Sequence, residues 1–146
     1  MKLLISEIIK KASNAKTKAE KIKILRDNNT QALRSILKWN FDAGIISDLP
    51  EGEVPFNAND APIGTEHTVL EREAKGLWRF IKGANTLTRF KREQMFIQLL
   101  EGLHESEAEI ICLVKDKKLQ DKYRITFAVV KEAFPEIKWS NEVVAK

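Results

Sequence analysis

A chain of 146 residues, 43% apolar and 32% charged, is long enough for one domain with one core and too rich in core-forming residues for wholesale disorder. Its formal net charge of +4 and pI of about 9.2 are mildly basic, so any polyanion-binding surface must come from the distribution of charge and not from its total. Cys112 is the only cysteine, which excludes an intramolecular disulfide.

Leu4, Ile5, Ile8 and Ile9 recur at helical spacing in MKLLISEIIKKA. Glu7 interrupts the apolar run and no small-residue cleavage site follows cleanly, so the stretch reads as an amphipathic helix and not a signal peptide. No run approaches the length of a membrane span, and the expected location is cytoplasmic. Ser13-Asn14 stops this first helix. Thr17-Lys-Ala-Glu20 has the form of a capping box and opens a second helix, running to about Asp27 with Ile22 and Leu25 on its apolar face. Asn28-Asn29 is a turn. Thr30 caps a third helix with Leu33, Ile36, Leu37 and Phe41 inward and Arg34 and Lys38 outward.

After Gly44 the pattern changes. SDLPEGEVPFNANDAPIGTEH carries Pro50, Pro55 and Pro62 with Gly52 and Gly64, and no helical period survives it. The expectation is one long irregular loop over about 44–66, pinned to the body by Val54, Phe56 and Ile63. It is acidic: from Asp48 to Glu73 seven carboxylates face one arginine, Arg72.

Thr68-Val-Leu-Glu71 reads as a second capping box, opening a helix with Leu70, Ala74, Leu77, Trp78 and Ile81 on one face and ended by Gly83. A fifth helix runs from about Thr88 to Gly102 with Phe90, Phe96, Leu99, Leu100 and Leu103 inward. Arg89, Lys91 and Arg92 crowd its first turn, against the helix dipole, which calls for an anion nearby or for acidic tertiary neighbours. Ser106-Glu-Ala-Glu109 reads as a third capping box before a helix with Ile110, Ile111 and Val114 inward. LVKDKKLQDKYRIT is a basic connection. Thr126 caps a last helix stopped by Pro135, Ile137 and Trp139 are expected to pack back, and 140–146 to fray. The fold class is all-α, a single compact domain over 1–146 with six to seven helices.

No constellation for catalysis stands out. His104-Glu105 lacks a second histidine four residues on, and His67 lies far away, so both histidines read as surface or capping residues and no metal is expected. Cys112 reads as a small buried hydrophobe, since no histidine is near it in sequence. The carboxylates Glu105, Glu107 and Glu109 suit a helix start. The glycines are scattered, so there is no phosphate loop. Trp78 reads as core, and Trp39 stays open between core and boundary. No enzyme activity, cofactor or small-molecule substrate is implied.

The strongest signal is basic. Between Met1 and Arg26 eight basic residues face only Glu7 and Glu20. Such a run is commonly a solvated helix face, but Lys16, Thr17, Lys18 and Lys21 sit at a helix N-terminus, where free N–H groups also favour phosphate. Lys117, Lys118, Lys122 and Arg124 repeat the arrangement before Thr126. Two basic turns, each feeding a helix start, suit the phosphates of duplex DNA better than its base edges.

ISEIIKKASNAKTKAEKIKILRDNNTQALRSIL resembles the opening of the N-terminal DNA-binding domain of phage-type ATP-dependent DNA ligases, and EQMFIQLLEGLHESEAEIICLVKDKKLQDKYRITFAVVKEAFP resembles the end of that domain. The two segments cover about half the chain. The resemblance implies an all-helical domain that grips duplex DNA through the minor groove. The ligase motif lysine-x-aspartate-glycine is absent, Lys115-Asp116-Lys117 does not supply it, and no ligase activity carries over. In the ligases the turn before the last helix has a glycine close to the DNA backbone; here it is LQDKYRIT, with Lys122 and Arg124 in place of that approach. The whole chain, the 44–66 loop included, resembles small uncharacterised proteins encoded by large tailed phages, cyanophages among them, which implies an infected bacterial host. The expected role is a non-catalytic DNA-binding protein of phage DNA metabolism. The alternative is a protein-binding adaptor that uses the acidic loop 48–66 against a replication, transcription or host protein.

Overall fold

The computed structural model describes residues 3–56, 68–84 and 86–139. The elements in order are α1 (Ile5–Asn14), α2 (Lys18–Asp27), α3 (Gln31–Phe41), α4 (Leu70–Glu73), a 3₁₀ helix (Ala74–Phe80), α5 (Arg89–Gly102), α6 (Glu105–Lys115), α7 (Leu119–Lys122) and α8 (Phe127–Ala133). The fold is all-α, and among the described residues the only β pairing is an isolated bridge between Ser47 and Ile81. None of these helices is long and apolar enough to cross a membrane.

α6 is the hub. It packs against α1, α3, α5 and α7, and buries Ala108, Ile110, Ile111 and Val114 completely. α2 lies between α1 and α8. The N-caps Thr17, Thr30 and Thr126 each accept a backbone N–H from three residues on, the third threonine at 3.4 Å. At the second helix Glu20 reaches back to the N–H of Lys16, one residue before the cap, so the box is slightly offset.

The two other predicted boxes are different. Thr68 donates its hydroxyl to Glu73 and caps nothing; Val69 is the N-cap of α4, without a side-chain bond. The cap of α6 is His104, whose Nδ1 accepts from Ser106 N–H at 3.1 Å. What replaces the first box is a long-range acceptor. Glu107, fully buried, accepts from the Leu70 N–H at the start of α4 and from the Ile5 N–H at the start of α1, both at 3.0 Å. One buried carboxylate therefore closes two helix ends that are far apart in sequence.

The predicted helix from Thr68 is also re-phased. After one α turn it tightens to a 3₁₀ helix, whose three-residue period sets Ala74, Leu77 and Phe80 on one face. Leu77 and Phe80 are buried, and Trp78, expected in the core, is 51% exposed with the Arg79 guanidinium over its ring. Phe90 corrects a second expectation: it stands 77% exposed in the first turn of α5, while Phe96 and Leu100 point inward. Trp39 is buried and donates to Ser47 Oγ at 2.8 Å. Trp139 is buried edge-on against Phe127, so the chain after Pro135 does pack back.

The start of the acidic loop is tied down from below. Lys115, 3% exposed, donates its ammonium to the carbonyls of Pro50 and Gly52 and to Asp116. Arg92 donates to the Asp48 and Leu87 carbonyls and pairs with the Asp48 carboxylate at 3.5 Å. Asp48 is thus the acidic neighbour that the crowded start of α5 called for, and Arg89 pairs with Glu93. Val54 and Phe56 pack on the core. Ile63 and the rest of 57–67, His67 among them, lie outside the described residues, as does the tail 140–146.

Candidate nucleic-acid interface

The nine residues singled out for phosphate contact occupy two places. The first is built around the C-terminus of α1. The chain leaves α1 at Asn14 and enters α2 through Lys16 and the cap Thr17. Beside it runs Lys122–Thr126, the lead into α8. A hydrogen bond joins the two turns: the backbone N–H of Arg124 donates to Ser13 Oγ at 2.9 Å. Lys21 reinforces the joint by donating to the carbonyls of Ala12 and Ser13 at 3.2 and 2.9 Å. Lys16, Lys18, Lys122, Arg124, Thr17 and Thr126 therefore share one region of the surface.

Their side chains are differently engaged. Lys16 and Arg124 are exposed, and among the described residues their charged groups have no hydrogen-bond or ion-pair partner. The same holds for Lys10 and Lys11 at the end of α1, which the sequence pattern did not single out although the spacing of Ile5, Ile8 and Ile9 sets them outward. Lys18 pairs with Glu132 at 3.0 Å and Lys122 with Glu109 at 2.5 Å, each with about half of the lysine side chain in solvent. Exposed pairs of this kind contribute about 0–1 kcal/mol and exchange readily for another anion. Lys21 is spent inside the molecule: it is a cation at the C-terminal carbonyls of α1, a favourable dipole partner.

The second place holds Lys117 and Lys118, at the other end of the single turn of α7 from Lys122. α6 ends in a Schellman motif: Lys118 N–H donates to Leu113 carbonyl at 2.8 Å and Lys117 N–H to Val114 carbonyl at 3.0 Å. Lys117 takes the left-handed position, φ 58°, where glycine is usual. Its ammonium donates to the carbonyls of Trp39 and Asp42 at 2.5 and 2.8 Å, closing the end of α3. Partial burial lowers its pKa below the ordinary lysine value, against the pull of Asp42. Lys118 faces Glu51 of the acidic loop at 3.5 Å. The four basic residues that looked like one turn in sequence are separated by α7, which carries Lys122 back toward α1.

Beside the first place lies a groove of about 760 Å³ between α1, the start of α6 and Lys122–Tyr123. Lys10, Lys11 and Lys122 line it together with Ser6, Ser106 and His104. Ser6 Oγ and Ser106 Oγ are 2.8 Å apart, and Ser106 Oγ is 2.8 Å from His104 Nδ1. Because Nδ1 accepts from the Ser106 N–H, the neutral ring carries its proton on Nε2. Tyr123 closes one side and donates to Glu109 at 3.2 Å; burial and that carboxylate push its phenol up to about 12. Among the described residues no three His, Cys, Asp or Glu side chains converge as metal ligands.

No curated protein and no solved structure matches the chain. A family model does match, over residues 8–121, from the first turns of α1 into α7. With more than half of its length matched, the chain belongs to DUF6433, a family of unknown function.

Proposed function

We propose that the protein is a non-catalytic DNA-binding protein that holds the backbone of duplex DNA along the face formed by Lys10, Lys11, Lys16, Lys18, Lys122 and Arg124. The observation that carries this reading is the Arg124 N–H to Ser13 Oγ bond of 2.9 Å, which sets two basic turns side by side. Four of the six cations have no internal partner among the described residues, so a phosphate would meet them without displacing an acid. Thr17 and Thr126, the exposed N-caps of the two helices that these turns feed, add hydroxyls to that face. Charge without a reading element gives backbone contacts with little sequence preference. The resemblance of 5–37 and 93–135 to the ligase DNA-binding domain supports approach from the minor groove and a place in phage DNA metabolism, in the cytoplasm of an infected bacterium.

Fluorescence anisotropy of a labelled duplex against salt tests it. About five neutralised phosphates give a log K against log salt slope of about −4 to −5. Lys16→Glu with Arg124→Glu should weaken binding at least about tenfold for every sequence and flatten that slope. Absent binding at low salt, or binding indifferent to salt, overturns the proposal.

A protein-binding adaptor is the second reading. The buried ammonium of Lys115 holds the 50–52 backbone in place while Glu51 and Glu53 stay exposed, a presented acidic edge. Deleting the loop would strip Lys115 and Arg92 of their partners, so the better discriminator is Glu51→Lys with Glu53→Lys. Loss of a protein partner in pull-down with unchanged duplex affinity would favour the adaptor.

A further inference from the structure

We propose that the groove between α1 and the start of α6 seats the terminal phosphate of a DNA strand, so that the protein distinguishes a strand end from continuous duplex. This rests on the DNA-binding reading and adds to it the form of DNA preferred. The groove, about 760 Å³, is in the size range of small-ligand sites. It is far too small for a duplex and large enough for the last nucleotide of a strand.

Its chemistry suits a phosphate monoester. Lys10 and Lys11 are exposed cations without partners among the described residues, and Lys122 shares a single exposed carboxylate, Glu109. Ser106 Oγ lies 2.8 Å from Ser6 Oγ, which is buried behind it, and 2.8 Å from His104 Nδ1, and its hydroxyl can turn its proton from that nitrogen to an incoming acceptor. His104 has Nδ1 engaged with the Ser106 N–H, which leaves Nε2–H as a donor. A monoester carries about −1.5 to −2 charge and three acceptor oxygens, against one charge for an internal diester. The lysines therefore favour the end of a strand over its interior. The groove opens beside Ser13 and Lys122, where the backbone face begins, so one strand can run from the face into it. Glu7 also lines the groove, but its carboxylate accepts from the Leu4 N–H at 2.9 Å and is held at the start of α1.

The experiment compares one short duplex bearing 5′-phosphate, 3′-phosphate or hydroxyl ends with a closed circular duplex of the same sequence, and adds a phosphorylated dinucleotide, too short to span the backbone face. The expected result is at least about fivefold tighter binding of one phosphorylated end over the hydroxyl end. His104→Asn, which keeps a capping acceptor, combined with Ser106→Ala should erase the preference and leave the circular duplex bound as before. Ser106→Ala alone, which should halve the preference at least, serves if the double variant is unstable. The dinucleotide should bind only when phosphorylated. Circular duplex bound with no preference for phosphorylated ends overturns the end-phosphate site and leaves the backbone reading intact. A phosphorylated dinucleotide that binds while every duplex fails overturns the backbone reading, and the strand-end role with it. Neither binding overturns both.

Discussion

Lys16, Lys21 and Lys117 are the same residue type with two different tasks. Lys16 stands free in solvent, whereas Lys21 and Lys117 each close the carbonyl end of a helix. Lys117→Ala should therefore cost the fold about 1–2 kcal/mol, through the lost cation at the end of α3, and leave duplex affinity of the folded protein within about twofold. A denaturant melt paired with an anisotropy titration separates the two effects. Glu107→Ala leaves the N–H groups of Ile5 and Leu70 without their buried acceptor and should cost about 3–5 kcal/mol, read as a fall in melting midpoint. The alkaline limb of stability also follows from single residues. Burial raises the Cys112 thiol from 9.0 to about 11, and Tyr123 rises from 10.0 to about 12. The folded state keeps these protons after the unfolded chain has lost them, so stability falls as pH climbs through 9 to 11 and then 10 to 12. Lys117 acts in the opposite sense, since its lowered pKa means that the unfolded chain binds that proton more tightly up to 10.5. Thermal melts across this range should show the first part of the loss disappear in Cys112→Ala.

Among the elements, the 3₁₀ helix shows how a change of period changes the core. An α period from Leu70 turns Trp78 inward; a three-residue period turns Phe80 inward instead, where it meets Phe96 edge-on at 5.1 Å. Phe80→Ala should cost about 3–5 kcal/mol, and Trp78→Ser should stay within about 1 kcal/mol of the parent in a urea melt. The reverse order would restore the α reading of this segment. Nothing in AKGLWRF announces the tighter turn: its apolar residues fit both periods, and contact with α3 and α5 decides between them. Threonine caps were more legible, because a hydroxyl three residues before a free N–H has a local partner wherever the helix ends up. The two boxes that failed, at Thr68 and Ser106, sit where Glu107 and His104 supply the acceptor from elsewhere.

For the whole molecule, the decisive relation is between residues more than 100 positions apart. Lys16 and Arg124 become neighbours because α6 and α7 return the chain to the end of α1, where Ser13 receives it. Lys117 is lost to that face because its ammonium closes the end of α3, while Lys118 is turned toward Glu51 of the acidic loop. Ser13→Val should loosen the junction by removing the acceptor of the Arg124 N–H, and duplex affinity should fall several-fold although no charge is lost. Unchanged affinity in a correctly folded Ser13→Val would mean that the two turns act independently.

The sequence by itself determined the all-α class, most helix boundaries, the threonine caps, the inward stripes of α1, α3 and α6, and the excess of cations near the N-terminus. These depend on spacing and on bonds that close within four residues. Tertiary structure alone decided which cations remain available. A lysine becomes a helix cap, a loop anchor or a free charge according to which carbonyls and carboxylates the fold brings within about 3 Å of it, and that proximity is set by long-range packing, which no local pattern records.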